Sequence, residues 1–204
     1  FLVLKFKKNI WKLDNLSQRK INDLHKFSWL SCANISKDRE LVKNIIQGWL
    51  DDYSDYDPKI WYPIMIAHRL IFWISNSLFT IRNEDLILRT KITNNILKQA
   101  IHLSKNISLI DSKLDRVLAI FSLILVSTAF EGYQKLFQSS LKNLDEQIKD
   151  LLDKQGLVKS KSIEDQFWLL HHLILIKESL KVSQNQIPER LEDTIEIVGK
   201  HFSS

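Results

Sequence analysis

The sequence predicts an all-α protein of about eight helices in consecutive antiparallel hairpins, arranged as an incomplete α/α toroid, and three observations carry that reading. Only 4 Gly and 3 Pro occur in 204 residues, too few for the turns that an all-β chain needs about every 8 to 12 residues. Apolar residues recur at helical spacing along most of the chain. Helices that are apolar nearly all round alternate with helices that carry a single apolar stripe, as an inner ring covered by an outer ring would require. No repeat of fixed period is present. The 45% hydrophobic content provides a core for one domain over residues 1–204.

The first helix is expected over residues 16–32, with Leu16, Ile21, Leu24, Phe27 and Leu30 broadly on one side. The second runs from a Ser36 cap to about Asp51, where Val42, Ile45, Ile46, Trp49 and Leu50 follow the i, i+3, i+4, i+7, i+8 pattern. An acidic, aromatic loop leads to Pro58. A third helix then starts near Trp61, with Pro63 in the first turn, and ends near Phe79. Asn83 is placed to cap a fourth helix through about Ile107, whose stripe is Ile92, Ile96, Ala100, Leu103 and Ile107. Asp111 caps a fifth. The sixth carries Phe137, Leu141, Leu144, Ile148 and Leu151 and stops near Gln155-Gly156. Ser160 or Ser162 opens a seventh that runs through Phe167 and Trp168 to about Val182, and Pro188 opens an eighth. The third, fifth and seventh are the apolar helices expected inside.

The net charge is +5, but 22 of the 29 cations are Lys, interspersed with acids along nearly every segment, the pattern of solvated helix faces. The one local excess, Lys5, Lys7, Lys8 and Lys12, reads as an ordinary exposed terminus, so no nucleic-acid partner is expected. The single Cys32 leaves no internal disulfide or thiolate zinc site and reads as a small buried hydrophobe. The longest uncharged stretch, residues 117–130, covers about 21 Å as a helix where a bilayer core needs about 30 Å, so no membrane span is expected. Residues 1–4 are too short for the apolar region of a secretory signal.

No phosphate-binding loop, dinucleotide fingerprint, nucleophile elbow or H-E-x-x-H element occurs, and no cofactor is expected. His171-His172 places two imidazoles about 100° apart around a helix, poorly set to share a metal, so no metal site is expected either. The most suggestive segment combines Trp61, His68, Arg69 and Trp73. Arg69 and Trp73 are i, i+4 neighbours, Trp61 and His68 share a side, and a guanidinium fork suits a carboxylate or sulfate while indoles stack on sugars. Two readings stand side by side: these four residues bind substrate in a groove, or the indoles fill the core and Arg69 caps buried carbonyls.

Phe27-Ser28-Trp29-Leu30, Trp49-Leu50, Trp61 through Pro63, His68-Arg69-Leu70-Ile71 and Trp73-Ile74 together resemble the N-terminal α/α toroid domain of the heparinase II/III family. The likeness extends through Gln99 to Leu103 and Glu131-Gly132. It implies a polysaccharide lyase domain contributing a cleft for an acidic, uronic-acid polysaccharide, a downstream β-sandwich domain and an extracytoplasmic setting. The family's catalytic Asn-His and Tyr-His positions fall near Ser112-Lys113 and Glu164-Asp165, and its D-G-G loop near Lys154-Gln155-Gly156. None of those residue types matches, so no catalytic residue is named. The alternative is a non-catalytic helical scaffold or protein-interaction domain.

Overall fold

The computed structural model describes residues 10–12, 16–82 and 84–202. Lys5, Lys7, Lys8, the Lys12 side chain and Asn83 lie outside the described residues. The protein is all-α: nine α-helices and no β-strand occur among the described residues, with one isolated antiparallel bridge between Leu152 and Val158. The chain divides into two compact units, Phe1–Lys105 and Asn106–Ser204.

The first unit holds α1 (Gln18–Lys26), α2 (Ile35–Tyr53), α3 (Pro63–Ser75), α4 (Ser77–Thr80) and α5 (Leu86–Asn106). The expected first helix is broken at Phe27, which adopts φ 61 and turns the chain into a 3-10 helix, Ser28–Cys32. A left-handed non-glycine residue costs about 1–2 kcal/mol. Phe27 is held there because its fully buried ring lies against Trp29, Trp49 and Trp73 at 5.3, 6.0 and 5.2 Å. The same break corrects the expectation for Cys32: the 3-10 turn sends Trp29 and Leu30 inward and leaves Cys32 exposed.

Asn34, rather than Ser36, caps α2, its side chain accepting from the Ser36 N–H at 3.0 Å while Asp38 accepts from the Asn34 N–H at 2.7 Å. Pro63 occupies the first turn of α3, where its missing N–H costs nothing. The expected third helix ends early, at Ser75, and α4 covers the remainder. Asp85 accepts from the Leu88 N–H at 2.9 Å at the start of α5. In this unit α3 packs on α1, on the Ser28–Cys32 turn and on α4, and α2 packs on α4.

The second unit holds α6 (Lys113–Ala129), α7 (Gln134–Leu151), α8 (Ile163–Val182) and α9 (Glu189–Lys200). Ser112 caps α6 in place of Asp111, and Ser162 caps α8, each accepting from the N–H three residues on. α7 ends at Leu151, before the expected stop; Gly156, at φ 80, instead shapes the turn that follows. Gln166 of α8 holds that turn, accepting from the Val158 N–H at 2.7 Å and donating to the Gly156 carbonyl at 2.9 Å. α6 packs against α7 and α8, and α8 against α9.

Of the three helices expected to be enclosed, α3 and α6 are. α6 buries every residue from Val117 through Ile124, and α3 buries seven of its residues. α8 differs. It buries Leu169, Leu173, Ile176 and Leu180 on one side but leaves Ile163, Phe167, Trp168, Ile174, Leu175 and Val182 exposed on the other. The expectation failed because a helix apolar all round has the same composition whether both faces are covered or only one.

Candidate functional site

The segment singled out for ligand binding lies in the core of the first unit. Trp61, Arg69 and Trp73 are buried, Arg69 at 0% exposure, and only His68 is half-buried. Arg69 therefore does not project into a groove. Its Nε donates to Gln99 Oε1 at 2.6 Å, and its two terminal nitrogens donate to the His25 and Ile60 carbonyls at 2.9 and 3.2 Å. The guanidinium carbon sits 4.4 Å from the centroid of the Trp49 ring. A fork of fixed N–H donors suits this work, because one side chain closes the end of α1, the loop before α3 and the middle of α5 at once.

Gln99 is itself oriented. Its Nε2 donates to Asn95 Oδ1 at 2.5 Å, and Asn95 Nδ2 donates to the Ser54 carbonyl at 3.1 Å. The chain Arg69–Gln99–Asn95–Ser54 thus ties α3, α5 and the end of α2 together. Burial pulls the Arg69 guanidinium down to about 9, which leaves it charged at neutral pH. Carbonyl dipoles and an indole face, rather than a carboxylate, balance that charge.

The indoles are packed as closely, although the buried Trp73 Nε1 has no hydrogen-bond partner among the described residues. Trp61 donates from Nε1 to the Tyr53 carbonyl at 3.1 Å, and Lys98 Nζ covers its face at 5.4 Å. Trp73 packs edge-on against Phe27 and Trp49 at 5.2 and 5.3 Å. Trp49 donates to His25 Nδ1 at 3.0 Å, so the His25 proton resides on Nε2.

Beside this frame, Trp11, His25, Tyr53, Asp57 and Lys59 line a hollow of about 220 Å³, below the range of about 300–1,000 Å³ usual for ligand pockets. Its ionisable groups are set against acid–base work. Burial, and then the Arg69 charge, drive the His25 imidazole down to about 3 against a weaker upward pull from Asp57, so it is neutral and a poor base at neutral pH. Burial, with Asp52 and Asp57 nearby, raises Tyr53 above the usual phenol range. Asp57 accepts from the Lys59 and Ile60 N–H groups at 2.8 and 3.3 Å and shapes the turn. A larger concavity of about 450 Å³ is lined by Asp51, Asp55, Lys91 and Lys98; its mixed charge, with Lys98 bonded to Asp55 at 2.6 Å, offers no field of one sign to an anion.

In the second unit a concavity of about 230 Å³ is lined by Ser112, Lys113, Asp150, Lys159 and Asp165, with Lys113 paired to Asp150 at 2.6 Å, and the exposed side of α8 is mostly apolar. At about 100° per residue, Ile163, Ile174, Phe167, His171, Val182, Leu175 and Trp168 fall in that angular order within one arc of about 140° on α8, interspersed with Lys181, Glu178 and Glu164, and all are exposed. Phe202 extends the patch, its ring 6.4 Å from that of Phe167. His172, on the opposite side, is buried, and burial followed by the His171 charge lowers it to about 4. No group of three or more His, Cys, Asp and Glu suited to a metal ion occurs among the described residues, and no helix there is long and apolar enough to cross a membrane.

The sequence analysis passed over Asn95 and His25, and met Gln99 only at the edge of the family resemblance; all three complete the Arg69 frame. A signal for two of them was present: Asn95 and Gln99 stand i, i+4 beside the stripe of Ile92, Ile96 and Leu103, where polar residues are unexpected. No protein-family model matches the chain, and neither does any curated protein or solved structure.

Proposed function

We propose that the chain is a non-catalytic helical interaction domain that docks a protein helix on the outer face of α8. The observation that carries this reading is the exposure of Phe167 (51%), Trp168 (42%), Ile163 (81%) and Val182 (82%) on one side of a single well-capped helix. Scaling side chains of this size by their exposure gives, with Ile174 and Leu175, a patch on the order of 700 Å². The largest patch on a typical monomer is about 300–600 Å². Anchors at i, i+3, i+4 and i+7 spacing are how helices dock in grooves or on one another, and Phe167, His171 and Ile174 stand at i, i+4 and i+7.

The first unit supports the same reading. Its Arg69 and Trp61 are occupied by hydrogen bonds and its Trp73 by ring contacts within the core, and its His25 and Tyr53 are shifted away from the range useful for proton transfer. A cleft for an acidic polysaccharide built on Trp61, Arg69 and Trp73 would require three buried side chains to leave that core.

Selection of helical peptides against the protein tests the proposal. Binders are expected, and Phe167→Ser combined with Leu175→Ser should weaken them at least tenfold. Binders indifferent to those substitutions, or release of unsaturated product from a uronic-acid polysaccharide by the parent protein, would overturn it.

A further inference from the structure

The structure also points to the occupant of this face: we propose that α8 pairs antiparallel with α8 of a second copy of the chain, about a two-fold axis near Ile174. The inference rests on reading α8 as a docking face and adds the identity of the partner. Area supports it, because a patch on the order of 700 Å² approaches the ~800 Å² that each partner contributes to a standard interface. Symmetry supports it as well: a two-fold interface requires a surface complementary to itself.

The α8 face meets that condition only in the antiparallel sense. Phe167, His171, Ile174, Glu178 and Lys181 advance by four, three, four and three residues, the spacing of a helix–helix seam. With the axis between Ile174 and Leu175, each His171 lies opposite the partner helix's Glu178, and each Phe167 and Trp168 lie opposite its Val182 and Lys181. Acceptors thereby meet donors, and the Trp168 ring meets an ammonium group. A parallel pair would instead set Glu178 against Glu178 and Lys181 against Lys181, like charges that repel across the seam. The acidic first turn, Glu164 and Asp165, and the basic last turn, Lys181, also end at opposite poles, so antiparallel packing brings unlike ends together.

Sedimentation equilibrium of the whole chain, with Cys32→Ser as background, is the test. The expected result is a species of twice the 24.0 kDa chain mass that Ile174→Asp returns to the monomer, weakening association at least a hundredfold. Leu175→Glu serves as a second such variant, with circular dichroism showing that both remain helical. Single cysteines then read direction: under mild oxidation Ile174→Cys should cross-link at least tenfold more than Ile163→Cys, since only positions near the axis meet their own copies. A monomer at all concentrations, a dimer indifferent to both substitutions, or equal cross-linking at 163 and 174 would each overturn the proposal. A monomer that still binds helical peptides through α8 would overturn the second copy alone and leave the docking face standing.

Discussion

Replacing Arg69 with Ala removes the donor shared by Gln99 Oε1 and the His25 and Ile60 carbonyls and strips the cation from the Trp49 ring. Hydrogen bonds from a charged donor contribute about 1.5–3 kcal/mol each, and a desolvated cation–π contact about 2 kcal/mol. Against them stand several kcal/mol for holding an ion away from water. The remainder is smaller than the gross sum, but Arg69→Ala also leaves a void and three buried acceptors unsatisfied, each of which costs about 1–3 kcal/mol. A loss of about 4 kcal/mol is expected, or roughly 2 M in the urea midpoint for a domain of this size. Arg69→Lys should lose nearly as much, because one ammonium cannot replace a three-way fork. Five of the six tryptophans, all but Trp168, fall within Phe1–Lys105, so intrinsic fluorescence during urea denaturation follows this unit. A midpoint for Arg69→Ala within about 0.5 kcal/mol of the parent would refute the brace.

Acid should weaken the first unit through His25. The unfolded imidazole takes its proton near 6.5 and the folded one only near 3, so between those values the unfolded chain binds the extra proton. Stability is retained above about pH 6.5 and falls by about 1.4 kcal/mol per pH unit below it; His25→Gln should flatten the slope seen in urea midpoints between pH 6 and 4, and an unchanged slope would contradict this. In the second unit, Gln166→Ala should cost about 2 kcal/mol by freeing the Val158 N–H and the Gly156 carbonyl, lowering the thermal midpoint, whereas a neutral result would mean that water replaces the amide. Gly156→Ala places a side chain at φ 80 and against Ile197 Cγ2; a loss of about 1–2 kcal/mol is expected, read from the same melts.

The helices were legible because their determinants are local. Ser162, one of the two starts expected for α8, and Pro188 for α9 stand where the structure caps those helices, and the stripe Val42, Ile45, Ile46, Trp49 and Leu50 is the buried side of α2. Breaks were less legible, since Phe27 at φ 61 is imposed by the rings around it and not by its own propensity. The Arg69 cluster shows the limit of composition: the same four residues describe a sugar-binding groove or a braced core, and the choice depends on carbonyls contributed 44 and 9 residues away and on Gln99 at a separation of 30. Of the two readings open at the sequence level, capping of buried carbonyls describes the hydrogen bonds Arg69 makes. α8 shows the converse. Its apolar run said how much surface needed cover, while the second unit decides which half receives it.

The most direct measurement follows the six indole N–H signals by two-dimensional NMR while a uronic-acid oligosaccharide is added. With Trp61 and Trp73 held in the core around Arg69, their signals should exchange slowly with solvent and keep their positions throughout the titration. Saturable movement of both signals, abolished by Arg69→Lys in a protein that remains folded, would show a groove in place of the core.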